Sequence, residues 1–240
     1  MVMRKFFSCL AVLAAFVLYA NDAVIDLPLN EGDNAAVRDN SAAANPVQIK
    51  NPQFLHWVDG ADGQVLEFKN ADGNTARGSV NVRMPTGFDL TKGFSFVATI
   101  KTGKDFAKKR IYPVFRFSDA MARGKGVFIF CNWNMLWVRM GAIDGKHVDL
   151  QSSTSQVSIL PDSWYRLVVT YDGKTAKIYI NGILAAAKDV SLQNPAIHRY
   201  LLIGSTGDGP GYGFDGIIAQ VKVYSRALSE NEITALQSGE

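Results

Sequence analysis

The stretch CNWNMLWVRMG, residues 131–141, carries the side chains best suited to gripping a neutral ligand. In an extended conformation Trp133, Met135, Trp137 and Arg139 fall on one face, with Asn132, Asn134 and Leu136 on the other, because strand side chains alternate. An indole ring takes the apolar C–H face of a sugar, and amides and a guanidinium take its hydroxyls. Tryptophans on such a strand also serve as sandwich core, and an Asn-Trp-Asn turn would break the parity. Residue types alone leave core and platform both open. The glycine-rich stretch GSTGDGPGYGFDG, residues 204–216, adds Asp208 and Tyr212. It precedes a strand, so it lacks the helix N-terminus that a phosphate cradle requires. It reads as a loop at a sheet rim, a place where ligands are often contacted. The candidate ligand-binding residues are therefore Trp133, Trp137, Arg139, Asp208 and Tyr212.

Catalytic arrangements are sparse. Glycan hydrolysis usually employs a pair of carboxylates facing the scissile bond. The five glutamates are Glu31, Glu67, Glu230, Glu232 and Glu240, and no spacing places two of them on one strand face. An aspartate-based site stays open, although the recurrent Asp-Gly pairs are explained as turns. His56, His147 and His198 are far apart in sequence, with no pair at metal-ligand or triad spacing. No catalytic residue and no metal ligand is assigned.

The elements that position these residues are announced by turns. Asx-Gly pairs occur at Asp59-Gly60, Asp62-Gly63, Asp72-Gly73, Asp144-Gly145, Asp172-Gly173, Asn181-Gly182, Asp208-Gly209 and Asp215-Gly216. Asn, Asp and Gly accept the positive φ that tight hairpins need. Between these pairs lie short runs rich in β-branched and aromatic residues: 94–100, 111–117, 127–131, 136–140, 164–171, 176–180 and 217–224. This spacing predicts an all-β domain. Two-residue turns at Asp172-Gly173 and Asn181-Gly182 would pair Val169 with Ala176, Ile180 with Ile183 and Ile178 with Ala185. Leu167, Val169, Ala176, Ile178, Ile180, Ile183 and Ala185 then share one face, and Arg166, Thr170, Thr175, Lys177 and Tyr179 the other. Only the C-terminus reads as helix: Ser229 and Glu232 form a capping box ahead of Ile233 and Leu236.

The chain has 240 residues, 48% hydrophobic and 20% charged, enough for one sizeable core. Arg4 and Lys5, an uncharged apolar run and Ala20 read as a secretory signal peptide over residues 1–20, leaving one domain over 21–240. A retained membrane anchor is the alternative for this segment. No other stretch is apolar enough to span a bilayer, so the expected location is secreted, periplasmic or cell-surface. Loss of Arg4 and Lys5 lowers the formal charge from +3 to +1, which argues against nucleic acid as a partner. The basic run KTGKDFAKKR, residues 101–110, reads as a solvated loop. Cys131 is then the one remaining cysteine, expected as a small buried hydrophobe. A single domain of this size suits a jelly-roll sandwich of two antiparallel sheets with a short C-terminal helix.

Three segments resemble the laminin-G-like branch of the concanavalin A-like lectin/glucanase superfamily. They are VIDLPLNEGDNAAVRDNS from Val24, WYRLVVTYDGKTAKIYINGILAA from Trp164, and FDGIIAQVKVYSRALSENEITAL from Phe214. The resemblance implies two antiparallel sheets and an exported protein that binds a glycan or a cell-surface protein. The family's closing strand commonly carries an acidic pair that helps hold a structural calcium. Ala219 and Gln220 stand at those positions here, so no cofactor is expected. The reading is an exported, non-catalytic binding module for glycan. The alternatives are a cell-surface protein-interaction domain and a glycan-cleaving enzyme built on aspartates.

Overall fold

The computed structural model describes residues 22–33, 36–70, 76–106, 110–117, 126–141, 146–192, 199–207 and 212–237. The leader segment, residues 1–20, lies outside this set. Among the described residues no helix is long and apolar enough to cross a membrane.

Two antiparallel sheets face each other across one core, as expected. The first sheet runs β13 (Ile183–Asp189), β12 (Thr175–Ile180), β11 (Trp164–Tyr171), β6 (Phe94–Thr102), β15 (Asp215–Tyr224), β4 (Gly63–Lys69), β3 (Leu55–Gly60), with β1 (Ile25–Leu27) also on β15. The second runs β10 (His147–Gln151), β9 (Met135–Gly141), β8 (Val127–Asn132), β7 (Tyr112–Phe117), β14 (Tyr200–Ile203), β5 (Ser79–Arg83), β2 (Val47–Lys50). Alternation decides the core: Leu167, Val169 and Tyr171 of β11 meet Leu136, Val138 and Met140 of β9 in one buried cluster. Cys131 is fully buried in it, and burial pushes its thiol pKa well up.

The short helix α1 (Glu230–Ala235) starts with the predicted capping box between Ser229 and Glu232. It lies on the outer face of the first sheet, where Ile233 and Leu228 cover Val97, Val168, Tyr179 and Tyr224. Near the N-terminus the buried carboxylate of Asp39 pins the loop after β1. It accepts from the backbone N–H of Asp26, Ser41 and Asn45 and from the side chains of Ser41 and Asn45, at 2.6–3.1 Å.

Three details differ from the sequence reading. The β11–β12 connection, residues 172–174, is three residues long, and Tyr171 faces Ala176 and Val169 faces Ile178. The Asp172 side chain accepts from the N–H of Lys174 and Thr175, which stabilises the longer loop. A shift of two residues preserves the faces, so the predicted core set survives. A bulge at Ala185 moves the partner of Ile178 to Ala186, and Ile183, on the edge strand beside the turn, is 52% exposed instead of buried. Asp215-Gly216 is not a turn: it opens β15, and a Cβ on Gly216 would lie 2.2 Å from the Lys101 carbonyl oxygen. Asn181-Gly182 is the two-residue turn expected, with φ of 50° and 77°.

Candidate functional site

Strand direction sorts the loops onto two ends of the sandwich. β6 runs from a base at Phe94 to a rim at Thr102, and Trp164 opposite Lys101 puts the start of β11 on the rim. Asp215 opposite Lys69 puts the start of β15 there too. The second sheet shares this end. The Ile159 N–H donates to the Asn134 carbonyl at 2.8 Å, the Thr102 hydroxyl to the Leu160 carbonyl at 2.6 Å, and the Phe214 N–H to the Gly204 carbonyl at 2.8 Å. The rim therefore gathers the β2–β3, β4–β5, β6–β7, β8–β9, β10–β11, β12–β13 and β14–β15 connections.

The β8–β9 hairpin turns on Trp133 and Asn134, at φ of 53° and 60°. Both central residues are left-handed, as a two-residue hairpin with matched strand twist requires. The expected parity is therefore broken at Trp133. Met135, Trp137 and Arg139 share the outer face of the second sheet, while Trp133 stands at the tip, 48% exposed. A bulky side chain in this region is held there at an energetic cost.

Trp137 faces away from the sandwich core. Its ring lies parallel to Phe130 at 6.0 Å, and Phe130 stacks on Phe128 at 4.6 Å. Its indole N–H donates to the Asn132 carbonyl at 3.1 Å. Arg139 is engaged: its guanidinium donates twice to Asp149, both at 2.8 Å, and that pairing raises its pKa against the opposing effect of burial. It also lies over the Phe130 ring, 6.0 Å from the centroid. Trp137 and Arg139 thus belong to an outer-face ladder of rings closed by an ion pair, with Trp137 half-buried.

Tyr212 is on the rim and 42% exposed. The ends of its loop are tied by a Ser205–Gly213 bridge and by mutual hydrogen bonds between Thr206 and Tyr212. Asp208 lies outside the described residues. The structure brings Trp133 and Tyr212 to the same end and leaves Trp137 and Arg139 on the adjoining outer face.

The sequence reading missed the rest of this end. Seven large apolar side chains are exposed among the described residues, and six of them, Trp133, Leu160, Trp164, Ile183, Leu184 and Tyr212, lie on rim connections or the strand ends beside them. Ile49, the seventh, is the penultimate residue of β2, whose last residue Lys50 leads into the β2–β3 connection at this same end. Trp164 and Arg166 alternate with buried Tyr165 and Leu167, so the parity of WYRL already marked them as outward. What it could not show was that this strand end meets the other exposed aromatics.

Ala219 is the extra residue of a bulge in β15 against β6. Among the described residues no group of three or more His, Cys, Asp or Glu side chains is placed to hold a metal ion. The described glutamates are engaged elsewhere: Glu31 accepts from the Arg38 N–H, Glu67 pairs with Lys69, Glu230 with Lys177, and Glu232 with Arg226.

No curated protein matches the sequence. Among solved structures the chain is similar to the binding domain of botulinum neurotoxin serotype D, with 15% identity and a TM-score of 0.71, over 92% of this chain and 52% of that one. It is similar to the binding domain of Paraclostridial Mosquitocidal Protein 1, with 20% identity and a TM-score of 0.71, over 90% and 52%. It is also similar to the serotype D ligand-binding domain in complex with N-acetylneuraminic acid, with 14% identity and a TM-score of 0.71, over 94% and 53%. The chain spans about half the length of these structures, and at such identities the likeness establishes the fold. A laminin-G family model matches residues 72–234, through both sheets and into the capped helix, and the chain therefore belongs to the concanavalin A-like lectin/glucanases superfamily.

Proposed function

We propose that this chain is an exported binding module without catalytic activity, and that its ligand is a glycan held at the rim. The observation that carries this reading is the collection of exposed large apolar side chains, Trp133, Leu160, Trp164, Ile183, Leu184 and Tyr212 among them, at one end of the sandwich. A monomeric surface normally scatters such residues singly, and their concentration marks an interaction site. Three of the six are aromatic with polar tips, the type that stacks on sugar rings. The cost of holding Trp133 left-handed is accounted for if its ring makes the contact. The binding domains among the similar structures support the same reading, one of them solved with a sialic acid. Leu160, Ile183 and Leu184 at the same end are what a protein partner would use, and this is the second reading.

The test is a glycan array probed with the purified exported protein and its Trp133→Ala and Tyr212→Ala variants. Glycan capture by the wild type, weakened about tenfold or more in at least one variant, is the expected result. Absence of any captured glycan overturns the glycan reading in favour of a protein partner. Capture that both variants retain at full strength moves the site off the rim.

A further inference from the structure

The outer face of the first sheet, just below the rim, holds a cation that no described residue pairs. Arg166 lies opposite Thr99 on β6, and Thr99 lies opposite Gln220 on β15. Direct neighbours in antiparallel strands share a face, with Cβ atoms about 5 Å apart. One row nearer the rim, Trp164 lies opposite Lys101. One row nearer the base, Val168 and Val97 are covered by the helix cluster, which walls the patch on that side.

Seven other described cations have carboxylate partners. Lys69, Lys101, Arg139, Lys174, Lys177, Lys222 and Arg226 are each within ion-pair distance of an Asp or Glu. The Arg166 guanidinium has no carboxylate and no hydrogen-bond acceptor among the described residues, although it is partly buried. Burial lowers its pKa below the ordinary arginine value, with only the Tyr224 hydroxyl opposing. A guanidinium stays charged, so the free protein keeps a partly desolvated charge without compensation. Beside it the Thr99 hydroxyl oxygen is buried and has no partner. The Gln220 amide is also without a partner among the described residues. Trp164, 46% exposed, offers a ring face at the open side.

We propose that Arg166, Thr99, Gln220 and Trp164 form a subsite for the carboxylate-bearing ring of an acidic sugar. The guanidinium fork matches a carboxylate in two parallel hydrogen bonds, the hydroxyl and amide serve the ring hydroxyls, and the indole covers the apolar ring face. Asp162, which holds Lys101 at 2.6 Å next to Trp164, disfavours a densely charged polyanion there. The assignment rests on the glycan reading above and names the sugar class within it. A net charge of about +1 is no obstacle, since one local cation without a counter-charge is enough.

Isothermal titration with matched probes tests it: sialyllactose against its methyl ester, and trigalacturonate against its methyl ester. In at least one pair the acid form binds about tenfold or more tightly than its neutral counterpart, the scale of a charge-assisted pair. The pair showing the preference separates a sialic acid from a uronic acid. Arg166→Met brings the acid probe down to the neutral one and leaves the neutral one unchanged. Arg166→Lys, which keeps the charge and loses the fork, retains only part of the preference. Equal binding of acid and neutral probes by the wild type overturns the subsite while glycan binding stands. A preference that survives in both Arg166 variants also overturns it. If no glycan binds at all, on these probes or the array, both readings fail.

Discussion

Gly63 and Gly216 each follow an aspartate in the sequence and each adopt a φ near +130°, at 125° and 135°. Their surroundings differ. A Cβ on Gly63, at the β3–β4 hairpin, meets nothing within 4 Å. A Cβ on Gly216 lies 2.2 Å from the Lys101 carbonyl oxygen, 2.8 Å from the Gly103 nitrogen and 3.0 Å from the Thr102 carbonyl carbon, all backbone of the neighbouring strand and its extension. Alanine at either site carries the same conformational penalty, about 1–3 kcal/mol for an L-residue in this region. Alanine at Gly216 must in addition push β15 off β6, an overpacking cost of about 1–3 kcal/mol or more. For a domain of this size, 1 kcal/mol corresponds to about 2–4 °C in melting temperature. Gly216→Ala should therefore melt several degrees below Gly63→Ala, with both below wild type, measured by tryptophan fluorescence and urea titration under the same conditions. Equal melting of the two variants refutes the close approach of β15 to β6, and with it the reading of Asp215-Gly216 as strand instead of turn.

Asp39→Ala leaves five buried or half-buried donors without their acceptor and should destabilise the domain by about 2–4 kcal/mol, read as a fall in the urea midpoint. Trp133→Ala should leave melting within about 0.5 kcal/mol of wild type, whereas Trp137→Ala loses its stacking on Phe130 and should cost about 1–2 kcal/mol; the reverse order would place Trp133 in the packed interior. The Asp172 carboxyl pKa lies below its ordinary value because the Thr175 and Lys174 N–H groups donate to the ionised form. Its contribution is thus complete above the unfolded-state value near pH 4 and is lost as pH falls through the lower folded value. Asp172→Asn should accordingly flatten the acid limb of the stability curve, and an unchanged limb refutes that account. EDTA should leave the melting temperature unchanged. A metal present at about 100 times its dissociation constant contributes roughly 2.7 kcal/mol, so a drop of several degrees would reveal a bound ion.

Much of the fold was legible because its signals are local. The segment Trp164–Tyr171 coincides with β11, and the Asn181-Gly182 hairpin and the Ser229 capping box appear where turn and cap chemistry put them. Each depends on a few neighbouring residues and on the two-residue period of a strand. Period also survived the wrong loop length after Tyr171, since a slip of two residues returns every side chain to its face. Parity placed Met135, Trp137 and Arg139 together and Arg166 outward. Local chemistry failed where two solutions share one signal. Asp-Gly serves the turn at Asp172 and the crowded strand start at Asp215, and only the distance to Lys101 separates them.

The composition of the rim belongs to the tertiary structure. Trp133, Leu160, Trp164 and Tyr212 come from three different connections, and what unites them is the direction in which each strand runs, set by pairings between segments far apart in sequence. The same holds for charge. The sequence contains the cations and the carboxylates, but pairing is a matter of a few ångströms: Arg139 finds Asp149 because β9 lies against β10, and Arg166 finds none among the described residues because its neighbours across the sheet are Thr99 and Asn181. Turn residues and alternation determine which face a side chain occupies. Only the packed sheets decide which faces and ends meet, because contact free energy depends on distance in space and not along the chain.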